Sequence, residues 1–75
     1  MRTKESIKQE IRTLTQAMAQ NSMEIRRETR AGRTNALVRL AEARHQIMLS
    51  IAHRQGLMIE ILENEMEYST GRKVA

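Results

Sequence analysis

The stretch from Leu37 to Met66 carries two stripes of mainly apolar residues, and no other feature of the sequence constrains the fold as strongly. Each stripe repeats at the three- and four-residue spacing of a helix face, so the stretch predicts one long helix with two adjacent apolar faces. The first stripe is Leu37, Leu40, Ile47, Ile51, Met58 and Ile61. The second stripe is Ala41, His45, Met48, Ala52, Gln55, Ile59, Leu62 and Met66. One partner helix covers only one of these stripes.

The composition favours helices along the whole chain. The 75 residues include no proline, three glycines and a single aromatic residue, Tyr68. Isoleucine, leucine, methionine and alanine suit helix packing, whereas a sheet would need more β-branched and aromatic residues. We therefore expect an all-α fold in a single domain. At this length one chain buries little core, and oligomerisation is a common remedy.

A first helix is predicted over residues 3–31, with Thr3 as its N-cap. Its apolar residues form a narrow seam at spacings of four, three, four and seven, namely Ile7, Ile11, Leu14, Met18 and Ile25. The seam is interrupted at Asn21 and Ser22. Either Asn21 caps a new helix, or it is a polar position inside a continuous helix. We favour continuity because Ile25 resumes the seam without a phase shift.

Gly32 is the predicted C-terminal stop of this helix, with Thr34 or Asn35 capping the next. We expect a turn over residues 32–36, a second helix over about 36–68 and a flexible tail over 69–75. Gly56 could divide the second helix, but both stripes continue past it in phase, which favours one helix containing a tolerated glycine. The short turn makes the two helices antiparallel neighbours, so the predicted unit is a helical hairpin.

The hairpin has a predicted register in which the numbers of facing residues add to about 65. This register matches the apolar residues of the seam with those of the first stripe. It also places Asn21 opposite Arg44. The polar residue that interrupts the seam of the first helix thus faces the one that interrupts the first stripe, which supports the register. Ile11 faces Arg54, which is a mismatch of an apolar with a charged residue. It is tolerated if the aliphatic part of the arginine packs on the seam and its guanidinium group points outward.

The second stripe is predicted to be a partner interface, because two helices offer no third element that could bury it. Its alternating spacing of four and three is typical of a coiled-coil seam. We expect a homodimer, most simply an antiparallel one that forms a four-helix bundle. Methionines at 48 and 66 adapt well to unlike surfaces, so a complex with a different protein is the alternative.

Basic residues concentrate near the turn in a basic cluster, which consists of Arg26, Arg27, Arg30, Arg33 and Arg39. At the other end of the hairpin, Lys4, Lys8 and Arg12 face several glutamates, so the turn is the uncompensated end of a chain with a net charge of +4. The cluster has three interpretations: a phosphate-binding surface for nucleic acid, a surface for an acidic protein, or a solvated helix face. With one aromatic residue the chain lacks stacking platforms for single strands.

The sequence offers little support for catalysis or metal binding. Glu42 and His45 have the spacing of the Glu-x-x-His pairs of di-iron bundles, but Glu42 lies on a polar face and the first helix supplies no carboxylate at mid-seam. His45 and His53 do not share a ligand-bearing face, and the chain has no cysteine. We predict no cofactor and no enzymatic activity; His45 is either a half-exposed histidine or a pH-sensitive interface residue.

The most apolar window, residues 47–62, is interrupted by His53, Arg54 and Glu60, so a membrane span is not expected. Nor does the start of the chain have the pattern of a signal peptide. We therefore expect a cytoplasmic, non-enzymatic helical protein that acts as a small regulator, adaptor or inhibitor by binding another macromolecule. A basic accessory protein that binds nucleic acid is the alternative hypothesis.

Overall fold

The computed structural model describes residues 3–74, with side chains described for residues 3–67. Within this range the chain forms two α-helices: α1 spans Lys4–Ala31 and α2 spans Thr34–Val74. The helices pack against each other as an antiparallel hairpin, an elongated rod of 62 × 18 × 17 Å. The predicted all-α helical hairpin is confirmed, and no β-strand occurs between residues 3 and 74.

The start of α1 is fixed by a capping box. The Thr3 side chain accepts a hydrogen bond from the Ser6 backbone N–H at 3.1 Å, and the Ser6 hydroxyl accepts one from the Thr3 N–H at 3.1 Å. These bonds satisfy two backbone donors that a helix N-terminus otherwise leaves unpaired. Thr3 is therefore the N-cap that the sequence predicted.

The turn between the helices is a Schellman motif built on Gly32. This glycine has a left-handed backbone (φ 71°), its N–H donates to the Thr29 carbonyl, and the Arg33 N–H donates to the Glu28 carbonyl. The connection contains only Gly32 and Arg33, shorter than the predicted turn over residues 32–36. Thr34 and Asn35 belong to α2 instead of capping it, because the turn at Gly32 and Arg33 already reverses the chain.

Both helices are continuous at the two positions where the sequence allowed a helix break. α1 passes through Asn21 and α2 passes through Gly56. α2 has helical backbone through Val74, six residues beyond the end predicted at Tyr68, since neither proline nor a left-handed glycine stops it. The flexibility of the predicted tail, residues 69–75, stays a prediction; Ala75 and the side chains of residues 68–74 lie outside the described residues.

The core lies along the line between the two helices and is thin. Among the described residues only Ile7, at 1% exposure, and Asn21, at 5%, are fully buried. The other residues of the α1 seam and those of the first stripe are partly buried, so the seam and the first stripe face each other as the register requires. The hairpin therefore leaves much of its apolar surface in contact with water.

Replacing Gly32 with alanine should lower the free energy of unfolding by about 1 kcal/mol, because a Cβ is disfavoured at positive φ. Gly32→Asn is the matched control, and it should lose less because asparagine tolerates the left-handed conformation. Urea unfolding followed by circular dichroism at a fixed protein concentration measures both variants. Equal stability of wild type and Gly32→Ala would contradict the role assigned to this turn.

Candidate interaction surface

A polar layer crosses the inner side of the hairpin near its middle. The Asn21 Nδ2 donates to the Leu40 carbonyl at 3.0 Å, and the Arg44 Nη1 donates to the Ser22 hydroxyl at 2.8 Å. The predicted layer is present, but its partners differ from a simple pairing of Asn21 with Arg44. Asn21 bonds the backbone of α2, whereas Arg44 bonds the side chain of the residue that follows Asn21 on α1. Both bonds hold the helices in the predicted register.

Two ion pairs extend this register towards the open end of the hairpin. The Arg54 Nε lies 2.7 Å from Glu10 Oε1, and its Nη1 donates to the Ser50 carbonyl at 3.1 Å. The Arg54 head is thus held against α1 and does not turn outward as expected, because Glu10 offers a partner beside the seam. Lys4 pairs with Glu65 at 2.6 Å, as the charge pattern predicted. Lys8, in contrast, pairs with Glu5 on its own helix.

The second stripe lies on the outward side of α2, and every one of its eight residues is exposed in the single chain. Among its large side chains, Met48 is 51%, Ile59 55%, Leu62 44% and Met66 67% exposed. α1 covers the first stripe alone and has one apolar face of its own. The structure therefore collects the predicted interface residues on one continuous face, about 38 Å long at 1.5 Å per residue.

Two further apolar residues belong to this outward face and were missed in the sequence. Val38 and Leu49 are each 52% exposed. Val38 continues the second stripe by one more step of three residues, a signal that was present in the spacing. Leu49 borders the stripe beside Met48 but lies outside its regular spacing. Its place on the outward face is evident only from its exposure in the structure. Large exposed apolar side chains that form a continuous face are characteristic of interaction surfaces.

A shallow depression lies on this face next to the turn. Its lining is Val38, Arg39, Ala41, Glu42, Ala43, His45 and Gln46. Because the depression is open to solvent, it suits an apolar side chain from a partner helix better than an enclosed substrate.

The basic cluster is exposed, and it straddles the turn. Arg26, Arg27 and Arg30 lie on α1, Arg33 in the turn and Arg39 on α2. Arg33 forms an ion pair with Glu28 at 3.3 Å, and this glutamate side chain is only 14% exposed. Arg33 is thus partly committed to the turn, while the cluster as a whole remains accessible to an anionic partner.

The residues considered for metal binding do not converge. Glu42, His45 and His53 are all exposed on α2. Across the part of the chain that the structure describes, no group of three or more histidine, cysteine, aspartate or glutamate side chains is arranged to hold a metal ion. Over the same residues, neither helix combines the length and apolar character needed to cross a membrane.

Comparison with protein-family models, with curated proteins and with solved structures finds no match to this chain.

The Glu10–Arg54 pair should stabilise the hairpin by about 1 kcal/mol in a double-mutant cycle of Glu10→Gln and Arg54→Met, since both side chains are partly buried. The exposed Lys8–Glu5 pair is the matched control and should give a few tenths of a kcal/mol at most. Chemical denaturation of the four proteins of each cycle measures the coupling. Equal coupling in both pairs would show that Arg54 does not link the helices.

Proposed function

We propose that this chain is a non-enzymatic helical interaction protein that dimerises through the second stripe and acts as a small regulator, adaptor or inhibitor by binding another macromolecule. The exposed second stripe of α2 carries the proposal. A face of this length, with methionine, isoleucine and leucine side chains about half exposed, is unfavourable in water and is stabilised by a partner.

The surface area of the single chain supports association. Its accessible surface is 6098 Å². A compact monomer of 8.7 kDa is expected to have about 4,700 Å². The difference, about 1,400 Å² by this relation, exceeds the roughly 800 Å² per partner that a stable dimer of standard size buries. The elongated hairpin thus has more surface than a compact monomer of its mass, which is consistent with a partner covering part of it.

The thin core supports the same proposal. A two-helix unit with Ile7 as the only fully buried apolar residue among those described has little with which to offset the conformational entropy lost on folding. A second copy packed on α2 would bury Met48, Ile59 and Leu62. Four helices would then share one core, as in a four-helix bundle.

Paired charge substitutions in the second stripe should abolish association and leave the hairpin helical. Ile59→Glu with Leu62→Glu places two carboxylates in the proposed interface, where they remain solvated only in the monomer. Light scattering at micromolar concentration should give twice the chain mass for wild type and a single chain mass for the variant.

Leu14→Glu is the contrasting variant, because it introduces a charge into the seam between α1 and α2 and should unfold the hairpin itself. Circular dichroism separates the two effects. A wild-type protein that scatters as a strict monomer would contradict the proposed dimer.

A second candidate function, binding to nucleic-acid phosphates, rests on the exposure of the basic cluster. Guanidinium groups bind phosphate through paired hydrogen bonds, and counterion release adds to the affinity at low salt. This function would leave the dimer intact and would place one basic cluster at each end of an antiparallel assembly. An acidic protein surface is the corresponding partner under the leading proposal.

Nucleic-acid binding is tested by Arg26→Glu with Arg30→Glu, against Lys8→Glu with Arg12→Glu as a charge-matched control at the other end of α1. If the basic cluster binds phosphates, the first pair should weaken duplex binding at low salt at least tenfold more than the second, and it should flatten the salt dependence. Fluorescence anisotropy with labelled duplex measures both. Equal losses, or no binding by wild type, would exclude this second function.

A further inference from the structure

We propose that the second stripe pairs with the second stripe of another copy of this chain in one defined antiparallel register, with a two-fold axis passing between residues 53 and 54. This inference rests on the proposed function and specifies its interface. The two α2 helices then contact each other directly. Each α1 stays packed on the first stripe of its own α2.

The spacing of the second stripe is the first argument. Its intervals of four, three, four, three, four, three and four residues read the same from both ends. A two-fold axis at the centre therefore places every stripe residue of one copy opposite a stripe residue of the other, as an isologous interface requires. The facing pairs are Ala41 with Met66, His45 with Leu62, Met48 with Ile59, and Ala52 with Gln55.

The sizes of the facing side chains are complementary in this register. The two alanines of the stripe each face a long side chain, either methionine or glutamine. The depression next to the turn includes Ala41 and His45, the two residues that face Met66 and Leu62 of the second copy in this register. Small residues opposite large ones are the arrangement that fills the space between helices at a constant distance.

A second pairing lies at the edge of the interface. The register brings Leu49 of one copy beside Gly56 of the other. Leu49 is 52% exposed in the single chain, and a Cβ built on Gly56 meets no atom within 4 Å. The leucine of one copy can therefore lie over the bare backbone at the glycine of the other. This contact gives a helix-interior glycine, otherwise unfavourable, a packing role.

Charge selects the antiparallel orientation over the parallel one. Residues 26–44 contain six arginines and two glutamates, whereas residues 60–67 contain four glutamates and no basic residue. The antiparallel register sets the basic cluster of one copy beside the glutamate-bearing end of the other copy's α2, and it keeps the two basic clusters apart. A parallel dimer would place like ends together. The proposed register contains one like-charge contact, between Glu42 and Glu63, at the exposed edge where solvent screens it.

Disulfide trapping tests this register directly, because the chain has no cysteine of its own. Met48→Cys and Ile59→Cys are prepared separately, mixed, and equilibrated in a glutathione buffer. Residue 48 of one copy should join residue 59 of the other. The mixed disulfide should exceed both symmetric disulfides at least tenfold, since the register separates residue 48 from its own counterpart by about 16 Å, too far for a disulfide.

Met23→Cys mixed with Met48→Cys is the control, because Met23 is also exposed, at 55%, but lies on α1 outside the stripe. A predominance of symmetric disulfides at residue 48 would overturn the antiparallel register and leave the dimer standing. Cross-linking no greater than in this control would overturn the register as well. Light scattering of the wild type then separates the two failures: a dimer would mean a different interface, and a monomer would contradict the proposed function itself.

Discussion

A helix that is apolar on two faces must be covered on two faces, and a hairpin supplies only one covering helix. In this protein α2 has the two faces and α1 has one, so the first stripe is packed within the chain and the second is left in water. The length of the rod, its large surface and its thin core all follow from this arrangement. A second copy would complete the core because it offers the same exposed apolar face.

The polar contacts between the helices fix the register more than they add stability. Asn21 is buried, but its Oδ1 accepts no hydrogen bond within the described residues, while its Nδ2 donates to the Leu40 carbonyl. Burying an amide with only one of its polar atoms bonded costs free energy. The bond from Nδ2 to the Leu40 carbonyl forms only when the two helices are correctly aligned, so the residue favours this alignment. Together with Arg44 and Arg54 it excludes shifted packings of two otherwise repetitive seams. The tight turn at Gly32 sets the same alignment from the end of the hairpin.

Helical periodicity made the hairpin, its register and the exposure of the second stripe predictable, because burial on a helix follows directly from spacing. The spacing did not predict which partners the long arginine side chains would choose. Arg54 bonds Glu10 on α1, and Arg44 bonds Ser22 instead of Asn21. The predicted turn was longer than the observed one. The capping preferences of Thr34 and Asn35 placed the start of α2 too late, because they do not show that the chain reverses within Gly32 and Arg33. The outward placement of Leu49 likewise needed the packed structure, because it lies outside the regular spacing.

The concentration dependence of thermal unfolding is the most direct test of whether a second copy stabilises the fold through α2. If two chains share one core, the midpoint of unfolding must rise by several degrees as the protein concentration increases a hundredfold, because association stabilises the folded state by mass action. A midpoint that stays constant over that range would contradict the dimer and would mean that the hairpin is stable with its second stripe in water.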